Sequence, residues 1–126
     1  MKPVRSIIKS FEYAYEGISY CLKTQRNMRI HFTFVALVIA AGMYFDIHMV
    51  EWTGLFITFS LVITSEMFNT AIEKVVDMIT EDYHEKAKIA KDVAAGAVLI
   101  NAIVAVFVGY LVFFHRIVEV LYNWIR

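Results

Sequence analysis

A chain of 126 residues that is 60% hydrophobic, with a mean hydropathy of +0.60, is composed to fold in a bilayer and not in water. Its 12 basic and 12 acidic residues cancel but are segregated along the chain, so the zero net charge says little about partners, and a membrane protein of this size is expected to bind no nucleic acid. One cysteine, Cys21, excludes an internal disulfide, and five glycines with one proline leave no room for a flexible linker, so residues 1–126 read as a single domain.

In chain order, the apolar residues Val4, Ile7, Ile8, Phe11, Tyr15, Ile18 and Leu22 recur at helical spacing, with Lys2, Arg5, Lys9 and Lys23 interspersed. This pattern suits an amphipathic helix lying in the membrane interface over 1–29. Arg5, Lys9 and Glu12 interrupt it too often for a cleavable signal peptide. Ile30 to Phe45 is the first span, short against the roughly 20 residues that a hydrocarbon core requires. Tyr44, Phe45 and Trp52 form an aromatic belt around a brief connection, Asp46 to Glu51, which turns the second span, 52–77, antiparallel to the first. A polar turn around Thr80 to His84 leads into a third span, 86–114, which includes 22 uncharged residues from Val93 to Phe114. The tail, His115 to Arg126, is again amphipathic, with Tyr122 and Trp124 as interface anchors. The expected class is therefore all-α integral membrane: one interfacial helix plus three transmembrane helices.

Lys and Arg counts set the expected orientation. Lys2, Arg5, Lys9, Lys23, Arg26 and Arg29 precede span one, and Lys74, Lys86, Lys88 and Lys91 flank the turn between spans two and three, whereas the Asp46 to Glu51 loop has no basic residue. The N-terminus is then cytoplasmic and the C-terminus outside. Span two carries a stripe: Glu66, Asn69, Glu73 and Asp77, at about 100° per residue, share an arc of roughly 80°. Upstream of it, Trp52 to Ser65 is uncharged. Glu66 falls ~21 Å from the outer interface and ~9 Å below the inner one, while Glu73 and Asp77 reach the cytoplasmic water. A solvated last turn of helix accounts for Asp77 but poorly for Glu66, and an ionisable group at membrane depth points to a functional site. A carboxylate just beneath the headgroups, with more at the water's edge, suits joining a lipid headgroup to a soluble cofactor: Glu66 as proton acceptor, Glu73 toward a hard cation such as magnesium. No P-loop or kinase glycine loop is present, and His31, His48, His84 and His115 are too dispersed for a zinc site. Asn101, inside span three, reads as a helix-packing hydrogen bond.

The run Glu66-x-x-Asn69-Thr70-Ala71-Ile72-Glu73-x-x-Val76-Asp77, followed by Ala87-Lys88-x-Ala90-Lys91-Asp92-x-Ala94-Ala95-Gly96, resembles the prokaryotic diacylglycerol kinase family. Arg26-Asn27-x-x-Ile30-His31 and Glu51-Trp52 resemble most its Gram-positive branch, mainly undecaprenol kinases. The resemblance implies a homotrimeric helical bundle in the bacterial plasma membrane that uses ATP and Mg²⁺ to phosphorylate a lipid alcohol, undecaprenol first and diacylglycerol as the alternative. It implies Glu66 as general base and Glu73 as a magnesium ligand facing ATP. Tyr13, the Asp82-Tyr83-His84 turn, and Lys91 with Asp92 correspond to nucleotide-contacting positions, and Asn69 and Asp77 to the same polar cluster. Gln25 stands where the family usually has a second metal-binding glutamate, so its amide oxygen would ligate without charge. A small proton-coupled transporter explains Glu66 but not the water-level cluster, and a non-catalytic scaffold explains neither.

Overall fold

Four runs of sequence become four helices, and the proline and all five glycines lie inside them, so the breaks at Gln25, Phe45–His48 and Thr80–His84 are made by other residues. The computed structural model describes the backbone of residues 2–126 and the side chains of residues 6–126, so the side chains of Lys2, Val4 and Arg5 lie outside the described residues. The helices are α1 (Lys2–Thr24), α2 (Arg26–Tyr44), α3 (Met49–Ile79) and α4 (Glu85–Ile125), and the described residues contain no strand. Three of them, α2 to α4, are long and apolar enough to cross a membrane.

The first break differs from expectation. Helix does not run unbroken to residue 29: Gln25 is extended (φ −99°, ψ 117°), and α2 starts at Arg26 instead of Ile30. The extra turn gives α2 19 residues, about 28 Å, which supplies the length that Ile30 to Phe45 lacked. At the second break Asp46 takes a left-handed conformation (φ 47°), which a short polar side chain tolerates. There the His48 N–H donates to Glu51 Oε2 (2.9 Å), so an acid of the first turn satisfies a backbone donor at the start of α3. The third break falls at Thr80 to His84 as expected, with the Lys86 N–H donating to His84 Nδ1 (3.2 Å) as the cap of α4. The tail is not a separate segment, since α4 continues through it to Ile125.

α3 packs along α4, α2 lies against α3, and the end of α1 reaches both α2 and α3. The apolar core is concentrated near the Asp46–His48 turn, where Ile47, Leu55, Val112 and Phe113 are buried together with Phe45 and Trp52 against them. Gly42 makes this possible: a Cβ there would lie 2.7 Å from Trp52 Cη2, so the indole occupies the space a side chain would need. Beside this core Arg116 pairs bidentately with Glu51 (2.8 and 2.9 Å) and also donates to the Val112 carbonyl, joining the first turn of α3 to α4. Midway along, Asn101 Nδ2 donates to the Leu61 carbonyl (3.2 Å), the helix-packing bond expected of it. The large apolar side chains that remain exposed, such as Phe34, Leu37, Val106 and Phe107, face outward as lipid-facing surface.

Candidate active site

Away from that core, toward the Ile79 end of α3, the interior becomes polar. Glu66 is 1% exposed and Asn69 8%, and both are buried where α3 lies between α2 and α4. The spacing of the stripe brings them there: residues three apart on a helix share a face, so the side chain of one turn lies beside that of the next. Asn69 Nδ2 donates to Glu73 Oε1 (3.3 Å), which links the buried pair to a half-buried carboxylate one turn further along. The Thr70 hydroxyl turns back to the Glu66 carbonyl (2.9 Å) and so does not occupy the carboxylate.

Two buried oxygens in this cluster, Glu66 Oε2 and Asn69 Oδ1, have no hydrogen-bond partner. Leaving a buried polar atom unpaired is costly, and both of these are acceptors. They belong to residues lining an open cavity of ≈ 270 Å³, whose walls are Asn27, Ile30 and His31 of α2 and Ala95, Val98, Leu99 and Ala102 of α4. The two alanines keep the α4 wall low, and the aliphatic side chains make the cavity apolar everywhere except at its four polar residues. The arrangement is a carboxylate acceptor at the bottom of a greasy slot, able to receive the O–H of an otherwise apolar molecule.

Beyond Glu73 the stripe ends in an ion pair, Lys91 Nζ to Asp77 Oδ1, which ties the last turns of α3 to the first turns of α4. Lys88 pairs with Asp92 one turn along α4. A second cavity of ≈ 440 Å³ opens at this level, lined by Val76, Ile79, Thr80, His84, Lys86, Ala87 and Ala90. Asp82 and Tyr83 are exposed in the turn, where the Thr80 hydroxyl donates to the Asp82 carbonyl (3.3 Å). Tyr13 is 64% exposed on α1, and Gln25 sits in the α1–α2 break with Nε2 donating to Thr24 Oγ1 (3.4 Å).

The single chain thus brings together Glu66, Asn69 and Glu73, and separately Asp77 with Lys91. Tyr13, Gln25, Asp82, Tyr83 and Asp92 make no hydrogen bond to the stripe, and among the described residues no three His, Cys, Asp or Glu side chains converge as a metal cluster. The donor chemistry nevertheless suits magnesium: Glu73 and Gln25 offer oxygens only, and Mg²⁺ commonly takes one or two carboxylates with the rest of its shell from phosphates and water. Asn27 and His31 are the residues that reading the sequence for site chemistry missed. Their separation of four puts them on one face of a helix, but only the packing of α2 against α3 shows that this face meets Glu66.

A family model described as prokaryotic diacylglycerol kinase matches residues 12–113. The chain is 50% identical over 106 residues to a diacylglycerol kinase of Synechocystis sp., covering 82% of this chain but only 60% of that relative's length. It is 37% identical over 109 residues to the undecaprenol kinase of Bacillus subtilis, with 86% of this chain and 89% of the relative aligned. It is 35% identical over 100 residues to the diacylglycerol kinase of Escherichia coli K12, covering 79% and 82%.

Proposed function

Because this chain belongs to the prokaryotic diacylglycerol kinase family, we propose that it is a membrane lipid kinase that transfers the γ-phosphate of ATP to the hydroxyl of undecaprenol. The observation that carries this reading is the unpartnered Glu66 Oε2 at an apolar cavity. A polyprenol brings one hydroxyl and no other polar atom, so it gives Glu66 the donor it lacks and asks nothing of the aliphatic walls. Diacylglycerol, the second reading, is favoured by the name of the Synechocystis relative, but its two ester carbonyls bring further acceptors into a cavity whose unpaired atoms are already acceptors.

In the proposed mechanism Glu66 accepts the proton as the lipid oxygen attacks, and Asn69 holds Glu73 so that buried base and water-level carboxylate keep a fixed spacing. Glu73 and Gln25 would hold Mg²⁺, which when bound neutralises charge on the phosphates. Lys91, Asp92, Tyr13 and the Asp82-Tyr83-His84 turn would hold the nucleotide, and Asp77 would orient Lys91 through their ion pair. Phosphoryl transfer of this kind is mostly positioning and electrostatics, so a small cluster is enough. The proposal includes a cytoplasmic N-terminus, an external C-terminus and a homotrimer in which neighbouring chains complete each site.

The test is to incubate purified protein with Mg-ATP and a panel of lipid alcohols, in wild-type and Glu66→Gln forms. Undecaprenol should be phosphorylated faster than diacylglycerol, and Glu66→Gln should lose on the order of 10²–10⁴-fold in turnover while still binding Mg-ATP, as loss of a general base does. Near-normal turnover in the variant would remove Glu66 from the role of base; faster transfer to diacylglycerol would reverse the choice of acceptor.

A further inference from the structure

The match to the family model ends at residue 113, yet α4 continues for twelve more residues to Ile125. From Lys91, paired with Asp77 at one end of the bundle, to Arg116, paired with Glu51 at the other, is about 38 Å of helix, already more than the ~30 Å hydrocarbon thickness. The residues after Arg116 therefore lie past the hydrocarbon core. They are not composed for water: Leu121 is 52% exposed, Trp124 85% and Ile125 78%.

The angular distribution of these residues is ordered. At about 100° per residue, His115, Arg116, Glu119, Asn123 and Arg126 fall within an arc of roughly 100°, and every apolar residue from Ile117 to Ile125 falls in a separate arc of roughly 200°. These arcs keep the phase of the membrane-spanning part of α4. The polar arc continues the side of Ala94, Asn101 and Val112, which faces the bundle, and the apolar arc continues the side of Val106, Phe107, Tyr110 and Phe114, which is exposed toward lipid. An apolar arc this wide exceeds the narrow seam of a coiled coil and fits a helix resting in a membrane interface, where Tyr and Trp settle at headgroup level.

We propose that residues 117–125 form a second membrane-surface anchor, whose partner is the phospholipid leaflet at the Arg116 end of the bundle. For this the helix, unbroken to Ile125 in the single chain, bends past Arg116 so that its outward side turns down onto the leaflet and its bundle side up into water. That motion buries the apolar arc and leaves Glu119, Asn123 and Arg126 hydrated. The Glu51–Arg116 pair is the fixed point about which it tips, because it holds the base of the tail to the start of α3.

Trp124 reports on the anchor directly. The full chain is reconstituted into phosphatidylcholine–phosphatidylglycerol vesicles whose acyl chains carry bromine near the headgroup, and subtracting the emission of Trp124→Phe separates Trp124 from Trp52. Brominated lipid should quench Trp124 by about two-fold or more, as expected of a ring at headgroup level, and aqueous iodide should have little effect. The double variant Leu121→Glu/Ile125→Glu should reverse both responses while leaving helix content and ATP-dependent phosphotransfer unchanged. Strong iodide quenching of the wild type with no effect of bromine would overturn the proposal, since the tail would then stand in water. Protection from both quenchers, with Tyr122→Cys chains cross-linking to each other, would overturn it in favour of a second copy. Undiminished bromine quenching in the double variant would also overturn it, because the apolar arc would then not be what holds the tail.

Discussion

Glu66 differs from the other acids of its stripe in having a carboxylate oxygen, Oε2, that is buried without a hydrogen-bond partner, whereas Glu73 takes a bond from Asn69 and Asp77 pairs with Lys91. Its depth could be read in the sequence, from the uncharged run upstream and the helical offsets. What it faces could not, because Asn27 and His31 come from a different helix and only packing selects their partner. Gln25 is the opposite case, a residue whose interest lay in its type and whose structural setting is plain: an extended residue between two helices, its N–H donating to the Cys21 carbonyl of α1 (2.8 Å). If this position serves the metal, Gln25→Glu replaces a neutral amide oxygen by a charged one, and the Mg²⁺ concentration for half-maximal phosphotransfer should fall by about ten-fold. Titrating activity against Mg²⁺ decides it; an unchanged midpoint places residue 25 outside the metal's shell.

The helices show where reading by element succeeds and where it stops. The Thr80 to His84 break was legible because polar residues and a capping histidine cluster there, and the third span because nothing charged interrupts Val93 to Phe114. The Gln25 break was not, since glutamine is a good helix former and nothing in its type marks an interruption. Nor was the pairing of Glu51 with Arg116: 65 positions separate them, and each alone looks like an ordinary interfacial charge. Gly42 offers an element-level test. Gly42→Ala would favour the helix by propensity, but its Cβ would meet the Trp52 ring, and overpacking of this kind costs about 1–3 kcal/mol. The thermal midpoint in detergent should therefore fall, whereas a simple propensity effect would raise it.

At the scale of the whole molecule, the single chain leaves much apolar surface uncovered and keeps several of the proposed nucleotide residues away from Glu66. In the proposed homotrimer a neighbouring chain would bring such residues to Glu66. Intramembrane polar groups are driven to face protein, and closed symmetry is the usual way for one chain to cover its own exposed face. Mixing two inactive forms tests this. Chains altered at Glu66 and chains altered at Glu73 should not rescue each other, because both residues lie on α3 of one chain. Chains altered at Tyr13, which makes no hydrogen bond to the stripe of its own chain, should regain activity when mixed with chains altered at Glu66, whereas Lys91, paired with Asp77 on the same α3, should behave like Glu73. Recovery that tracks only fully wild-type chains, with a monomer established by mass in the same detergent, would rule the shared site out.

The uneven distribution of the apolar core has a consequence for turnover. The interlocked side chains around Trp52, Phe45 and Phe113 and the Glu51–Arg116 pair lie at the end of the bundle away from Lys91, while the Glu66 region is held by small residues and single hydrogen bonds. α2 and α4 are thus joined like tweezers, stiff near the Asp46–His48 turn and more compliant at the level of Glu66. The gap between α2 and α4 should open more easily at the level of Glu66 than near the Asp46–His48 turn, in keeping with the uneven local stability that proteins show. The proposed lipid acceptor would then slip sideways between α2 and α4 from the bilayer, and its phosphorylated product would leave by the same route, without the bundle coming apart.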